Sequence, residues 1–194
     1  MARISAIISH QMAPICDEPL VWGLRRVEGR LSIKAMVNAP PPFVPGAFVG
    51  AEHHYRARVY FEDTDLSGIV YHANYLRYME RARSDMLRIA GIDQRAAMEA
   101  GDGSWAVTDL AIKYRRPAKL DDDLLVVSTV EAVRGASVII TQRILRGTDT
   151  LSGETLTDGQ VTAAFLSPEG RPRRQPAGWA DRFTAIMNGE KIPC

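Results

Sequence analysis

Alternation of apolar and polar residues marks the first clear element of the chain. In "HHYRARVYFE" (53–62), Tyr55, Ala57, Val59 and Phe61 occupy every second position. That period places them on one face of an extended segment and predicts a β-strand. The preceding stretch "NAPPPFVPGAFVG" (38–50) is rich in proline and glycine and shows no period. It is expected to be extended and poorly packed.

The next segment, "ANYLRYMERARSDMLRIAGI", changes to a helical period. Its apolar residues recur at spacings of three and four, which predicts one long helix with a buried stripe. The stripe is Tyr75, Met79, Ala82, Met86 and Ile89, and the surface is assigned to Arg77, Glu80, Arg81, Arg83 and Asp85. Gly91 is the expected helix stop.

Four further strand-like segments follow the helix, at 104–118, 123–134, 137–147 and 153–167, and "AGWADRFTAIMN" predicts a short terminal helix. One strand, one long helix and four consecutive strands predict an α+β fold, in which an antiparallel five-stranded sheet packs on the helix. The predicted organisation is an extended or disordered extension over 1–52, a folded domain over 53–170 and a tail with a short helix over 171–194.

Composition narrows the function classes. The 194 residues carry a formal net charge of +1, so no basic excess indicates a nucleic-acid partner. No apolar run approaches the ~20 residues that a membrane-spanning helix needs. The two cysteines, Cys16 and Cys194, lack metal-ligand spacing and make a poor disulfide framework, which favours a cytoplasmic location.

Charged and aromatic residues concentrate in "YFEDTDLSGIVYHANYL" (60–76). Asp63 and Asp65 precede a turn, and His72 lies just before the helix. The first N–H groups of a helix lack intrahelical partners and can polarise a carbonyl oxygen. A carboxylate nearby could attack that carbonyl or deprotonate a water. Aspartates at such positions also serve commonly as turn and capping residues, and local chemistry leaves both interpretations open.

The string "RVYFEDTDLSGIVYHANYLRYMERARSDMLR" resembles the signature of the hotdog-fold acyl-CoA thioesterases. It is most similar to their Tol-Pal-associated branch and more distantly to the 4-hydroxybenzoyl-CoA thioesterases. The similarity continues through "KYRRPAKLDDDLLV" and "RGASVIITQRI" and covers roughly residues 54–167. The resemblance implies the hotdog fold, in which the sheet wraps around the long central helix.

The resemblance also implies residue roles. Asp65 matches the catalytic carboxylate, as nucleophile or general base, and His72 matches the histidine that opens the central helix, with its backbone N–H facing the thioester carbonyl. The candidate substrate-binding residues are Gly68, Val70, Tyr71, Tyr75 and Arg134. Arg134 is preferred for the phosphates of CoA because arginine suits phosphate recognition. Lys113, Arg115 and Arg116 are further candidates, and solvated surface is the simpler interpretation of these basic clusters.

The predicted activity is hydrolysis of an acyl-CoA to a free acid and CoA, with a short, medium or aromatic acyl group and without a metal or redox cofactor. The family implies homodimers or homotetramers, and an acyl carrier protein is an additional candidate partner. Two alternatives remain, a hotdog dehydratase and a non-catalytic acyl-thioester or envelope-complex adaptor. A metal set from His53, His54, Asp63, Asp65 and His72 is disfavoured, since adjacent histidines on a strand point to opposite faces.

Overall fold

A computed structural model of the chain describes residues 46–147 and 153–192. The strands in these ranges are β1 (Gly46–Val49), β2 (Glu52–Arg58), β3 (Ser104–Tyr114), β4 (Asp123–Val133), β5 (Ser137–Arg146) and β6 (Glu154–Leu166). The helices are α1 (His72–Ile89), α2 (Gln94–Glu99) and α3 (Trp179–Asn188). Most of the predicted N-terminal extension and both cysteines lie outside the described residues.

The strands form one antiparallel sheet in the order β1-β2-β4-β5-β6-β3. Helix α1 packs against β1, β2, β4 and β5, as a hotdog fold requires. The α+β architecture is therefore confirmed, but the described sheet has six strands rather than the predicted five. None of the described helices is both long enough and apolar enough to cross a membrane.

The additional strand is β1, which the sequence placed in the poorly packed extension. It pairs with β2 from Gly46 opposite Tyr55 to Val49 opposite Glu52, so the folded domain extends N-terminal to the boundary predicted at residue 53. A Cβ atom at position 46 would lie 2.5 Å from side-chain atoms of both Asp85 and His53. Glycine at this position therefore allows β1 to approach the end of α1.

Helix α1 follows its predicted apolar stripe with two exceptions. Tyr75, Met79, Ala82 and Met86 are buried, but Ile89, in the last helical position, is 38% exposed. Asp85, assigned to the surface, is only 7% exposed because it contacts His53 of β2. Gly91 adopts a φ of 70°, which confirms the predicted stop.

A buried polar contact fixes the middle of α1 on the sheet. The side-chain amide of Gln142 on β5 donates to the Met79 carbonyl oxygen at 3.0 Å and to the Ser128 hydroxyl at 2.9 Å. Gly159 on β6 leaves room for the Met79 side chain, since a Cβ there would lie 3.2 Å from its terminal carbon. These contacts hold the helix along a defined line of the sheet.

The far end of α1 packs with the C-terminal helix. Trp179 and Phe183 of α3 are buried in the same core cluster as Met86 and Phe165. Trp105 contributes its ring to this cluster from β3, 5.4 Å from the ring of Phe165. Helix α3, predicted as part of a tail, thus completes the hydrophobic core at one end of the domain.

Candidate active site

A short hairpin between β2 and α1 presents the predicted catalytic aspartate. Thr64 and Val70 form an antiparallel bridge, and the Asp65 N–H donates to the Ile69 carbonyl oxygen at 3.0 Å. The turn closes when the Gly68 N–H donates to the Asp65 carbonyl oxygen at 2.9 Å. Gly68 has a φ of 72°, a left-handed conformation that glycine adopts without a steric cost. Its role here is to shape the turn.

The carboxylate of Asp65 is exposed and has unused hydrogen-bonding capacity. One oxygen accepts the Ser67 N–H at 2.8 Å, as in a common aspartate turn. Within the described residues, no basic side chain forms an ion pair with Asp65. Since an ionised carboxylate offers about four acceptor positions, most of its capacity is free. The turn-forming and the chemical interpretation of Asp65 are therefore compatible.

Helix α1 begins beside this hairpin with uncapped backbone donors. Tyr71, the residue before the helix, gives no side-chain cap. The Asn74 N–H donates to the Tyr71 carbonyl oxygen at 2.8 Å, whereas the N–H groups of His72 and Ala73 have no hydrogen-bond acceptor in the described part of the chain. Such donors, at the positive end of a helix, attract an oxygen that carries negative charge.

Backbone contacts bring the hairpin and the helix start together. The Tyr71 N–H donates to the Asp63 carbonyl oxygen and the Val70 N–H to the Ala118 carbonyl oxygen, each at 2.9 Å. The carboxylate of Asp63 accepts the Tyr60 N–H at 2.9 Å and is mostly buried. Asp63 therefore supports the loop, while Asp65 remains at the surface.

Two tyrosines line the floor of the site. Tyr75 is buried, and its hydroxyl oxygen accepts the Ala118 N–H at 2.8 Å. Burial raises the pKa of Tyr75. Tyr114 on β3, which the sequence did not single out, is half exposed and donates its hydroxyl to the His72 carbonyl oxygen at 3.1 Å. The position of Tyr114 depends on strand pairing, and its only signal in the sequence was that it lies within the family-like segment "KYRRPAKLDDDLLV".

The His72 side chain lies exposed between two aromatic rings. Its ring centroid is 4.3 Å from that of Tyr71 and 6.4 Å from that of Tyr114. No side-chain hydrogen bond fixes the imidazole among the described residues. The structure thus places the backbone of His72 at the helix start and leaves its ring accessible.

Burial raises the pKa of Tyr78, the next inward-facing tyrosine of α1, and the neighbouring Asp63 carboxylate acts in the same direction. The Tyr78 hydroxyl forms no hydrogen bond of standard geometry with the described residues. Tyr78 therefore stays uncharged and serves as a packing residue in the core beneath the site.

Arg134 is not brought near this site within one chain. It lies in the hairpin after β4, whereas the active-site loop contacts Ala118, before β4 begins. Strand β4 has 11 residues and so separates the two by about 35 Å. Among the other basic candidates, Arg115 pairs with Asp158, and Arg116 lies 3.4 Å from Glu154.

The outer face of the sheet carries a separate concavity of about 350 Å³. Its charged lining residues are Lys113, Arg115, Arg143 and Asp158. The Arg115–Asp158 pair and a 3.2 Å contact from Arg143 to Glu52 neutralise part of this charge. Asp65 and His72 do not line this concavity, so it is distinct from the hairpin site.

The two adjacent histidines of β2 point to opposite faces, as their alternation requires. His53 contacts Asp85 on the inner face, and His54 contacts Glu52 at 2.9 Å. His53 contacts Asp85, which lies 13 residues after His72 in α1, so the two histidines are separated by roughly 20 Å along the helix axis. These histidines therefore do not form one cluster.

Comparison with known proteins identifies the class. The profile of the thioesterase superfamily matches residues 67–152. Acyl-CoA thioesterase YbgC of Haemophilus influenzae is 40% identical over 122 residues, which cover 63% of this chain and 90% of that protein. Acyl-CoA thioester hydrolase YbgC of Escherichia coli O157:H7 is 39% identical over 127 residues, covering 65% and 91% of the two chains.

Solved structures agree with this result. A probable thioesterase from Bartonella henselae has a TM-score of 0.59 at 36% identity, covering 64% of this chain and 99% of that one. A mutant 4-hydroxybenzoyl-CoA thioesterase, solved with 4-hydroxybenzoyl-CoA, shares the fold, with a TM-score of 0.61 at 20% identity and coverages of 68% and 98%. The fold is therefore that of the hotdog thioesterases.

The chain belongs to the thioesterase superfamily. Its relatives at about 40% identity carry the names of acyl-CoA thioesterases, and the enzyme class predicted from the sequence, thioester hydrolase, is confirmed. The assignments of individual residues stay predictions.

Proposed function

We propose that the protein hydrolyses acyl-CoA thioesters to a free acid and CoA, with Asp65 as the catalytic carboxylate. One observation carries the proposal: an exposed, largely unpaired carboxylate lies in a hairpin whose return strand leads directly into α1, where two N–H groups lack acceptors. The names of the relatives support the substrate class.

The free N–H groups at His72 and Ala73 would bind the thioester oxygen as it becomes negative. Asp65 then acts by one of two routes. It attacks the carbonyl carbon, CoA leaves as a thiolate that takes up a proton, and water hydrolyses the resulting mixed anhydride. Alternatively it removes a proton from water, and the hydroxide attacks while CoA leaves as the thiolate. A single turnover in H₂¹⁸O that yields unlabelled acid would identify the nucleophilic route, with the label retained on Asp65.

Exposed apolar side chains in the active-site loop and along an edge strand support an assembly in which a second subunit completes the site. Leu66, next to Asp65, is fully exposed, and Phe61 is 82% exposed. Strand β3 is an edge of the described sheet and leaves Val107 and Leu110 partly exposed. In native proteins, a sheet edge and an apolar surface of this kind are usually covered by another part of the protein or by a second subunit. We therefore include a homodimer or homotetramer in the proposal, and Arg134 would reach CoA only from another subunit.

The acyl group, short, medium or aromatic, belongs to the same proposal. Hydrophobic contact at Leu66 and Tyr71 would favour an apolar acyl group beside Asp65. The Tol-Pal association and an acyl carrier protein as a partner are also part of the proposal and rest on the family resemblance. The cytoplasmic location is part of it too and rests on the two cysteines, which make a poor disulfide framework.

Release of free thiol from a panel of short-chain, medium-chain and aromatic acyl-CoAs tests the activity. Asp65→Asn is expected to lower kcat by about 10²–10⁴-fold, because the neutral amide neither attacks nor removes a proton. Its Tm should match that of the unchanged protein, since asparagine can accept the same Ser67 N–H.

Asp93→Asn is the matched control, because Asp93 caps α2 through an oxygen that asparagine also provides. Full activity of Asp65→Asn would refute the assignment of the catalytic residue. Absence of thiol release from every thioester would instead support the adaptor alternative.

A further inference from the structure

Asp63 receives two hydrogen bonds from the beginning of α1. Its carbonyl oxygen accepts the Tyr71 N–H and the side-chain amide of Asn74, each at 2.9 Å. Asp63 is 7% exposed and Asn74 is 6% exposed. Both lone pairs of this carbonyl are therefore used inside the protein, and both donors belong to the segment that carries the free N–H groups.

The Asn74 side chain does not serve its own helix. Asparagine is a weak helix former inside a helix and is favoured at the cap, where its oxygen accepts a backbone N–H. Here Asn74 is the third helical residue, no side chain caps α1, and its amide reaches back 11 positions to Asp63. A buried amide is costly unless it is hydrogen-bonded, so this contact accounts for a polar side chain at a buried position.

The contact lies between the two halves of the candidate site. Asp63 is two residues before Asp65, and Tyr71 is directly before His72. On its other side Asp65 is held by its N–H bond to Ile69. The Asn74 amide thus fixes the strand that carries the carboxylate relative to the helix start that carries the N–H donors.

We propose that Asn74 is a positioning residue, which holds the Asp65 hairpin against the start of α1 so that carboxylate and backbone donors address the same thioester carbonyl. This inference rests on the proposed function of Asp65. A displacement of about 1 Å between catalytic groups can lower the reaction rate about 10²-fold. Loss of the hydrogen bond from Asn74 to Asp63 should therefore lower kcat more than it lowers the stability of the fold.

Asn74→Leu tests the inference, because leucine is neutral and similar in shape but cannot donate to the Asp63 carbonyl. We expect kcat to fall at least about 10-fold while KM changes less than about twofold. Asn74→Gln retains an amide donor and should recover part of kcat. Asn188→Leu is the matched control, since the Asn188 amide contacts exposed Glu190 at the end of α3; it should leave kcat unchanged.

A kcat of Asn74→Leu within twofold of the unchanged protein would overturn the inference, provided that Asp65→Asn is inactive. Equal losses of kcat in Asn74→Leu and Asn74→Gln would also overturn it, because the donor would then be irrelevant. If Asp65→Asn is active, the catalytic role of Asp65 is refuted, whereas an inactive Asp65→Asn together with an unaffected Asn74→Leu refutes only the positioning role of Asn74. Should the leucine variant not fold, Asn74→Ala needs no additional space and carries the same expectation.

Discussion

The aspartates that lie at the two ends of α1, Asp65 and Asp85, are in opposite environments. At the start, Asp65 is exposed and accepts one hydrogen bond, from the Ser67 N–H. At the end, buried Asp85 contacts the His53 ring nitrogen Nε2 at 3.0 Å and accepts from Arg88 at 2.8 Å. The ring of Phe48 covers His53, with centroids 5.3 Å apart.

This difference separates a reactive carboxylate from a structural one. The Asp85 oxygens are occupied by partners from the protein, so the group stabilises the fold and is closed to substrate. Asp65 and the N–H groups of His72 and Ala73 are left with free capacity at the surface. Unsatisfied polar groups are tolerated there because water binds them until a substrate replaces it.

The largest effect among the following predictions is expected at the helix start. His72→Pro removes the His72 N–H, and proline is well tolerated at the first helical position because its φ suits the helix. The N–H makes no hydrogen bond to the described residues, so stability should be retained. Loss of one oxyanion donor is expected to lower kcat by about 10²–10³-fold, measured as steady-state thiol release.

His72→Ala is the control, since it removes the imidazole and keeps the N–H. The ratio of the kcat values of His72→Ala and His72→Pro isolates the backbone donor. Equal kcat values in the two variants would contradict its role and assign any loss to the ring.

At the end of α1, removal of the aspartate side chain should lower the stability of the protein rather than its kcat. Asp85→Ala leaves His53 and Arg88 without their acceptor, and hydrogen bonds to a charged group contribute about 2 kcal/mol. A loss of that size corresponds to a Tm decrease on the order of 5 °C in a chain of this length. Thermal unfolding followed by circular dichroism measures it, and kcat per folded molecule should stay within about twofold.

Asp85→Asn is the graded control, because its amide oxygen can still accept from His53 while the charge is lost. Its Tm should lie between those of the unchanged protein and Asp85→Ala. If Asp85→Ala instead abolishes kcat and leaves the Tm unchanged, the contrast between the two ends of α1 is wrong.

Local patterns predicted most of the fold, and long-range contacts explain the errors. The helix and five strands follow from periods that a few neighbouring residues define. Strand β1 was missed because its pairing with β2 and the close approach at Gly46 become visible only once the chain is folded. Asp85 was placed on the surface because helical spacing contains no information about His53. Phe61 was placed in the first predicted strand, but β2 ends at Arg58 and Phe61 is exposed.

The residues of the candidate site also fall into two groups, those that a local motif predicts and those that only the folded structure reveals. Asp65, Gly68 and His72 lie within one short segment, so a motif could predict them together. Tyr114 reaches His72 from another strand, and Asn74 acts through a contact inside the loop. Arg134 was chosen for its chemistry and its hairpin, but strand length places it at the other end of the domain. Spacing along the sequence predicts local geometry, whereas residues on other strands require the structure.

The smallest expected effect is a pH dependence from the buried end of α1. Burial lowers the pKa of His53, while Asp85 acts in the opposite direction and only partly offsets it. In neutral His53 the Nε2–H donates to Asp85, and the buried Nδ1 has no partner among the described residues. Protonation would place an N–H and a charge at Nδ1 without an acceptor, so the folded state disfavours it.

Below the ordinary histidine pKa of about 6.5, the unfolded chain therefore binds more protons than the folded protein. The free energy of unfolding should fall as the pH decreases from about 6.5 towards the lowered pKa of His53, and this contribution should be constant above pH 7. Tm values measured across this interval should show a smaller decrease in His53→Gln than in His54→Gln, the control on the outer face. Parallel decreases in the two variants would show that His53 is not the group responsible.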